Sequence, residues 1–244
     1  MKILEVYNLT KTFDGVTALR GVTFEVSESN IFGLIGPNGA GKTTMFNVIA
    51  GFYRPDTGDV RLRGENIVGL GPDEICHRGI CRTFQTVKPF RRMSVYENVL
   101  VGALFGRGRH TAMTEARNKV DSVLSLVDME QKKGVPAGDL TLAEQRRLEL
   151  ARSLATDAKI LLLDEPIAGL TQAEIVRYVA LLRSIRESGV TILLVEHVLK
   201  AVMDLADSVV VLNNGEKLAD GPPAQVASDA AVVQAYMGEG YATS

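Results

Sequence analysis

Few cysteines, no excess of charge and no long apolar run set the first limits on this 244-residue chain. Its 2 cysteines cannot make a disulfide framework, so the composition points to a reducing compartment. With 27 basic and 29 acidic side chains the net charge is −2, which excludes the basic stripe of a nucleic-acid binder. The longest apolar runs, "KILLLDEP" and "VTILLVEH", stop at carboxylates after a few residues, far short of a membrane span. Charges inside "MKILEVYNLTKTF" argue against a signal peptide. Internal repeats and low-complexity tracts are missing as well. The expectation is a cytoplasmic protein that reaches a membrane only through partners.

What is present is strand–helix alternation. "IFGLIG" (31–36) is a buried-strand run ending in glycine, and "MFNVIAGF" follows it at helical spacing. "KILLLDEP" and "VTILLVEH" repeat the strand pattern, with the helix-like "AEIVRYVALLRSIRESG" between them. This order predicts an α/β fold with a mostly parallel sheet core covered on both faces. "ILEVYNLTKTF", "GVTFEVSESN" and "GDVRLRGENI" instead alternate with period two, which predicts an antiparallel β-subdomain. From 87 to 155 the patterns are helical. Val120, Val123, Leu124 and Val127 share one face, as do Leu148, Ala151 and Leu154. The single domain of 1–244 therefore reads as a core formed by 1–86 and 156–244, with an inserted α-helical subdomain at 87–155.

"GPNGAGKTT" (36–44) fits G-x-x-x-x-G-K-[ST] through Gly36, Gly41, Lys42 and Thr43. Small residues let the backbone curl so that successive N–H groups face phosphate oxygens, and the helix that follows adds its positive end. Lys42 supplies a mobile ammonium for the β/γ phosphates, and Thr43 supplies a hydroxyl for Mg²⁺. A buried strand before and a helix after complete the required context. "ILLLDE" (160–165) then delivers Asp164 at a strand C-terminus, where open α/β sheets bind ligands. Its carboxylate suits Mg²⁺ through water, and Glu165 is placed to act as a base for water.

With these motifs in order, the chain resembles the ATP-binding subunit of an ABC transporter over essentially its whole length. The resemblance implies a P-loop NTPase of ABC type, an ATPase that uses ATP and Mg²⁺. It assigns ATP contacts to Phe13 and Val16 on the adenine side and to Asn38, Gly39, Ala40, Gly41, Lys42, Thr43 and Thr44 in the loop. Stacking on adenine is worth about 1–3 kcal/mol. As a lone aromatic Phe13 could be plain core between two strands; its position is what favours the adenine contact. Gln85, in "CRTFQ", matches the glutamine that touches Mg²⁺ and the attacking water; with Thr43 and Asp164 it completes the metal set. His197, in "LLVEH", matches the histidine on the γ-phosphate, so Glu165, His197 and Gln85 form the catalytic group. "RTFQTVKPFRRMSVYENVLVG", "EQRRLELARSLA" and "LLVEHVLKAVMDLADSVVVLNNG" are most similar to ATPases of branched-chain amino-acid importers. The implied partners are a second ABC ATPase subunit (homo- or heterodimer), transmembrane permease subunits and, indirectly, a solute-binding protein, on the inner face of the membrane, with no nucleic acid. Lipopolysaccharide-export ATPases are the alternative reading, and soluble non-transport ABC ATPases are another.

Two departures stand out. The family signature LSGGQ falls on Leu140, Thr141, Leu142, Ala143 and Glu144. Thr141 keeps the hydroxyl and, with Glu144 three residues on, forms a capping box. If the family glycine needs left-handed backbone angles, Ala143 costs roughly 1–2 kcal/mol, or about ten-fold in rate. Thr171 stands where the family has Asp or Asn. Both departures lie on surfaces shown to a partner, a pattern that suits a heterodimer with unequal sites as well as drift within one protein. Cys76, His77 and Cys81 in "ICHRGIC" invite a metal reading, but their spacing fits no standard zinc pattern.

Overall fold

The computed structural model of the chain describes residues 1–83, 87–107, 112–196 and 199–237. Strands β1 (Lys2–Phe13), β2 (Val16–Ser27) and β3 (Ile31–Ile35) precede helix α1 (Lys42–Ile49), then β4 (Thr57–Leu62) and β5 (Glu65–Asn66). Next come α2 (Pro72–Arg78), β6 (Ile80–Arg82), α3 (Val95–Phe105), α4 (Met113–Leu126), α5 (Leu142–Ala155), β7 (Ile160–Asp164) and α6 (Gln172–Glu187). Last are β8 (Thr191–Val195), α7 (Leu199–Leu205), β9 (Ser208–Asn213), β10 (Glu216–Gly221), α8 (Pro223–Ala227) and α9 (Ala230–Met237). Residues Met1–Pro72 with Thr191–Ser244 form one unit, and Asp73–Val190 form a second.

The first unit holds two kinds of sheet. β2, β1, β4 and β5 form the expected antiparallel sheet in that order, with Val6 facing Phe24 on one side and Val60 on the other. Period two carries Leu4 and Val6 inward with Val22, Phe24 and Val26, and a register shift at Asn8 (φ 46°) brings Leu9 to the interior as well, so all six are buried. β3 instead lies parallel to both β8 and β9, and β10 closes antiparallel on β9. Every residue of β3 and β8 is buried, as strands covered on both faces require. A two-residue turn joins β9 to β10 with Asn214 and Gly215 both at positive φ, 48° and 80°. That hairpin turn reaches two other segments: Gly215 accepts from Arg20 N at 2.7 Å and donates to Ala40 O at 3.2 Å.

In the second unit β6 runs parallel to β7, whose five residues are buried. Helices α3, α4 and α5 pack on one another. The expected faces are the ones buried: Val120, Val123, Leu124 and Val127, and Leu148, Ala151 and Leu154. Each large aliphatic side chain removed from water contributes roughly 1.5–3 kcal/mol. The segment before α3 is tied down by buried Asn98, which accepts from Phe90 N and donates to the carbonyls of Phe90, Met93 and Ser94 at 2.9–3.2 Å.

One device starts three helices of this unit. Ser94, Thr141 and Thr171 each cap a helix, with Glu97, Glu144 and Glu174 reaching back to the cap N–H. The hydrogen bond from each cap residue holds the glutamate pKa below its ordinary value of 4.5. A depressed folded pKa means that the stabilisation is complete above 4.5 and is lost as pH falls through the lower folded value. Amide exchange is expected to show the first turns of α3, α5 and α6 losing protection together in acid. Glu→Gln at all three positions should abolish that pH dependence; unchanged exchange in the triple variant would refute the account.

Candidate functional site

The phosphate loop lies in the first unit between β3 and α1. Gly36 (φ 147°), Gly39 (φ 76°) and Gly41 (φ 100°) hold backbone angles that side chains rarely adopt. At Gly36 a Cβ would overlap the Leu212 carbonyl oxygen, and at Gly41 it would sit 2.5 Å from the Ala18 oxygen. At Gly39 it would meet nothing within 4 Å, so that face of the loop opens outward. Lys42 is buried, and its ammonium donates to the carbonyls of Gly36 and Pro37 at 2.6 and 2.7 Å. No side chain caps α1, and no acidic residue stands in its first turn. The loop therefore offers uncapped N–H groups and a cation at one place, which is the requirement for polyphosphate. Asn38, Gly39 and Thr43 are exposed and Thr44 is half-buried. Ala40 differs: its methyl is buried and its N–H donates to Pro37 O at 3.2 Å.

Phe13 is 37% exposed at the end of β1, and Val16 is 71% exposed. This removes the alternative of a core phenylalanine. Tyr53, which the sequence did not flag, meets the Phe13 ring edge-on at 5.1 Å, and the Lys11 ammonium lies 5.1 Å from the same ring. The pair forms an exposed aromatic platform of the kind that stacks on a base.

In the second unit Asp164 ends β7 with its side chain nearly buried, and Oδ2 accepts from the Arg82 guanidinium at 2.9 Å. Oδ1 makes no hydrogen bond among the described residues, so the carboxylate keeps an oxygen suited to a hard cation. Arg82 carried no motif signal, because it lies 82 residues from its partner. Glu165 follows at φ 49°, a left-handed backbone that a non-glycine residue seldom adopts, and it is half-buried. Gln85 and His197 lie outside the described residues, so the structure does not place them.

Thr141 and Glu144 form the expected cap, with Thr141 N donating to Glu144 at 2.9 Å and Glu144 N donating to Thr141 Oγ1 at 3.4 Å. Leu142 and Ala143 are the first residues of α5, and Ala143 has no positive φ. The left-handed backbone that would have strained Ala143 is absent, so the expected handicap has no structural basis. In all three caps both the backbone and the side chain of the cap residue hydrogen-bond the glutamate, and the Ser94 and Thr171 hydroxyls do so at 2.8 and 2.7 Å. Thr141, Ala143, Glu144, Arg147 and Glu174 line one cavity of about 200 Å³, so the structure brings the signature and the α6 cap together.

Residues 19–168 match the family model described as ABC transporter. The chain belongs to the ABC transporter ATP-binding family. It is an ATP-binding and ATP-hydrolysing cassette, and the expected P-loop NTPase fold of ABC type holds. A second model, described as branched-chain amino acid ATP-binding cassette transporter, matches residues 216–242. The chain is 42% identical to the high-affinity branched-chain amino acid transport ATP-binding protein BraF of Pseudomonas aeruginosa, over 97% of this chain and 98% of that protein. It is 39% identical to LivG, of the same description, from Escherichia coli K12, over 97% and 98%. Among solved structures, the ADP conformation of an ATP-binding cassette of an ABC transporter superposes with a TM-score of 0.88 at 32% identity, over 98% of this chain and 99% of that one.

Two substitutions test the local geometry of the cassette. Arg82→Ala leaves a nearly buried carboxylate without its cation and is expected to cost about 3–5 kcal/mol in denaturant unfolding; a loss below 1 kcal/mol would mean that Asp164 finds other compensation. Ala143→Gly relieves no strain, so its ATP turnover should fall well short of the roughly ten-fold gain expected from releasing 1–2 kcal/mol. Steady-state phosphate release by the two proteins side by side decides it.

Proposed function

We propose that the chain is the ATP-hydrolysing subunit of an importer for branched-chain or other hydrophobic amino acids. The observation that carries this reading is the near-complete span of likeness to BraF and LivG, reinforced by the match at 216–242 to a model of the branched-chain class. The phosphate loop and the Phe13–Tyr53 platform support ATP as the nucleotide.

In this reading Gly39, Gly41, Lys42, Thr43 and Thr44 hold the phosphates, Asn38 and Ala40 shape the loop, and Phe13 with Val16 receives adenine. Thr43, Asp164 and Gln85 would hold Mg²⁺, which when bound neutralises charge on the β and γ phosphates. Glu165 takes a proton from the attacking water, and His197 donates to the γ-phosphate. Thr141, Leu142, Ala143 and Glu144, at the start of α5, meet the nucleotide of a second ABC ATPase subunit, identical or different. Residues 87–155 act as the helical subdomain, in keeping with described elements that are all helical there, and 1–86 with 156–244 act as the core.

Closing of the two subunits on ATP drives transmembrane permease subunits, which receive cargo from a solute-binding protein. No helix among the described residues is long and apolar enough to cross a membrane, so attachment to the inner face of the membrane runs through the permease.

Glu165→Gln is expected to lower ATP turnover by about 100-fold or more while ATP binding persists. Turnover equal to wild type would remove the base assignment. Co-purification with membrane subunits and ATP-dependent leucine uptake in reconstituted vesicles test the transport assignment separately.

A further inference from the structure

The two cysteines lie on neighbouring elements, and nothing in the hydrolytic reading uses them. Cys76 sits in the last turn of α2 and Cys81 in the middle of β6. Gly79 makes the reversal between them: it adopts φ 102°, and its N–H bonds back to Cys76 O at 2.9 Å. This tight turn sets residues five apart at the two ends of one reversal. Both are half-buried free thiols. They share a cavity of about 370 Å³ with Arg82, Lys88, Glu149 and Arg152. Arg82 is already paired with Asp164, so Lys88 and Arg152 against Glu149 leave the cavity one net positive charge. The metal alternative finds no support, since no group of three His, Cys, Asp or Glu residues among the described residues could hold an ion.

We propose that Cys76 and Cys81 form a redox-sensitive dithiol that closes to an intramolecular disulfide on reaction with an anionic low-molecular-weight disulfide. The cavity opens beside both cysteines, and Lys88 and Arg152 attract the carboxylates of the small disulfide.

The environment sets which sulfur attacks. The hydrogen bond from Cys76, then those with Ser153 and Thr156 and the charge of Arg152, bring the Cys81 thiol down to about 7 against the opposing effect of burial. The same contact with Cys81, together with burial, pushes the Cys76 thiol up. Cys81 is thus the attacking thiolate and Cys76 the resolving thiol. Cys81 Sγ attacks one sulfur of the small disulfide, forming a mixed disulfide and expelling one thiolate. Cys76 then gives up its proton and attacks Cys81 Sγ, expelling the second small thiolate. The protein loses two hydrogens and two electrons, and the small disulfide is reduced to two thiols. Such a pair fits a reducing compartment, where intracellular disulfides are transient and redox-sensing.

The test uses the full-length protein, oxidised glutathione as the probe, acid quenching, alkylation of the remaining thiols and intact-mass measurement. Wild type is expected to become lighter by two hydrogens, to carry no alkyl group and to recover both thiols with dithiothreitol. Cys76→Ser should stop at one glutathione on Cys81. Cys81→Ser should react about ten-fold more slowly or less readily still. An uncharged disulfide, 2-hydroxyethyl disulfide, should react with wild type more slowly than oxidised glutathione. Two alkylated cysteines, glutathione retained on the wild type, or chains linked to each other would each overturn the internal disulfide. Equal rates for the two single variants would overturn the assignment of Cys81 as the attacking sulfur, and equal rates for the two probes the role of the basic side chains.

Discussion

The backbone of the phosphate loop is the constraint on which the rest of the first unit depends. Gly36 and Gly41 hold positive φ at places where carbonyl oxygens of Leu212 and Ala18 leave no room for a Cβ. Those oxygens belong to strands, so the loop is moulded against the sheet and is not a free turn. The Asn214–Gly215 turn secures the same contact from the other side, bonding both β2 and the loop. Lys42 completes the arrangement by lying across the loop carbonyls. Loss of the Gly36 conformation would move the N–H groups, the lysine and the start of α1 together.

The second unit uses a different economy of means. Three Ser/Thr-x-x-Glu boxes start three helices, and each satisfies the N–H groups left over at a helix end. In the same unit the Arg82–Asp164 pair fixes a carboxylate in a nearly dry position, where an unpartnered charge would be costly.

Much of this was legible locally. Unbroken apolar runs became β3, β7 and β8, the helical faces at 120–127 and 148–154 are buried as read, and the Thr141 box formed. Contacts between distant residues were not legible. Arg82 with Asp164 and Tyr53 with Phe13 leave no periodic trace, because nothing in either segment encodes the other. The conditional argument at Ala143 went wrong for a related reason. A sequence pattern names the residue that has replaced a glycine but not the backbone angle at its position.

Taken alone, the sequence determined the class of fold, the phosphate loop, the carboxylate pair and the Thr141 cap, since each depends on neighbours within a few residues and on the period of apolar side chains. The tertiary structure decided which of those groups are free to act. It placed Phe13 on the surface instead of in the core, gave Ala143 an unstrained helical backbone, buried Asp164 against a cation and brought the two cysteines to one cavity across a glycine turn. Burial, backbone angle and long-range charge pairing arise only when separate segments meet, and they govern the reactivity of side chains whose identities were plain from the start.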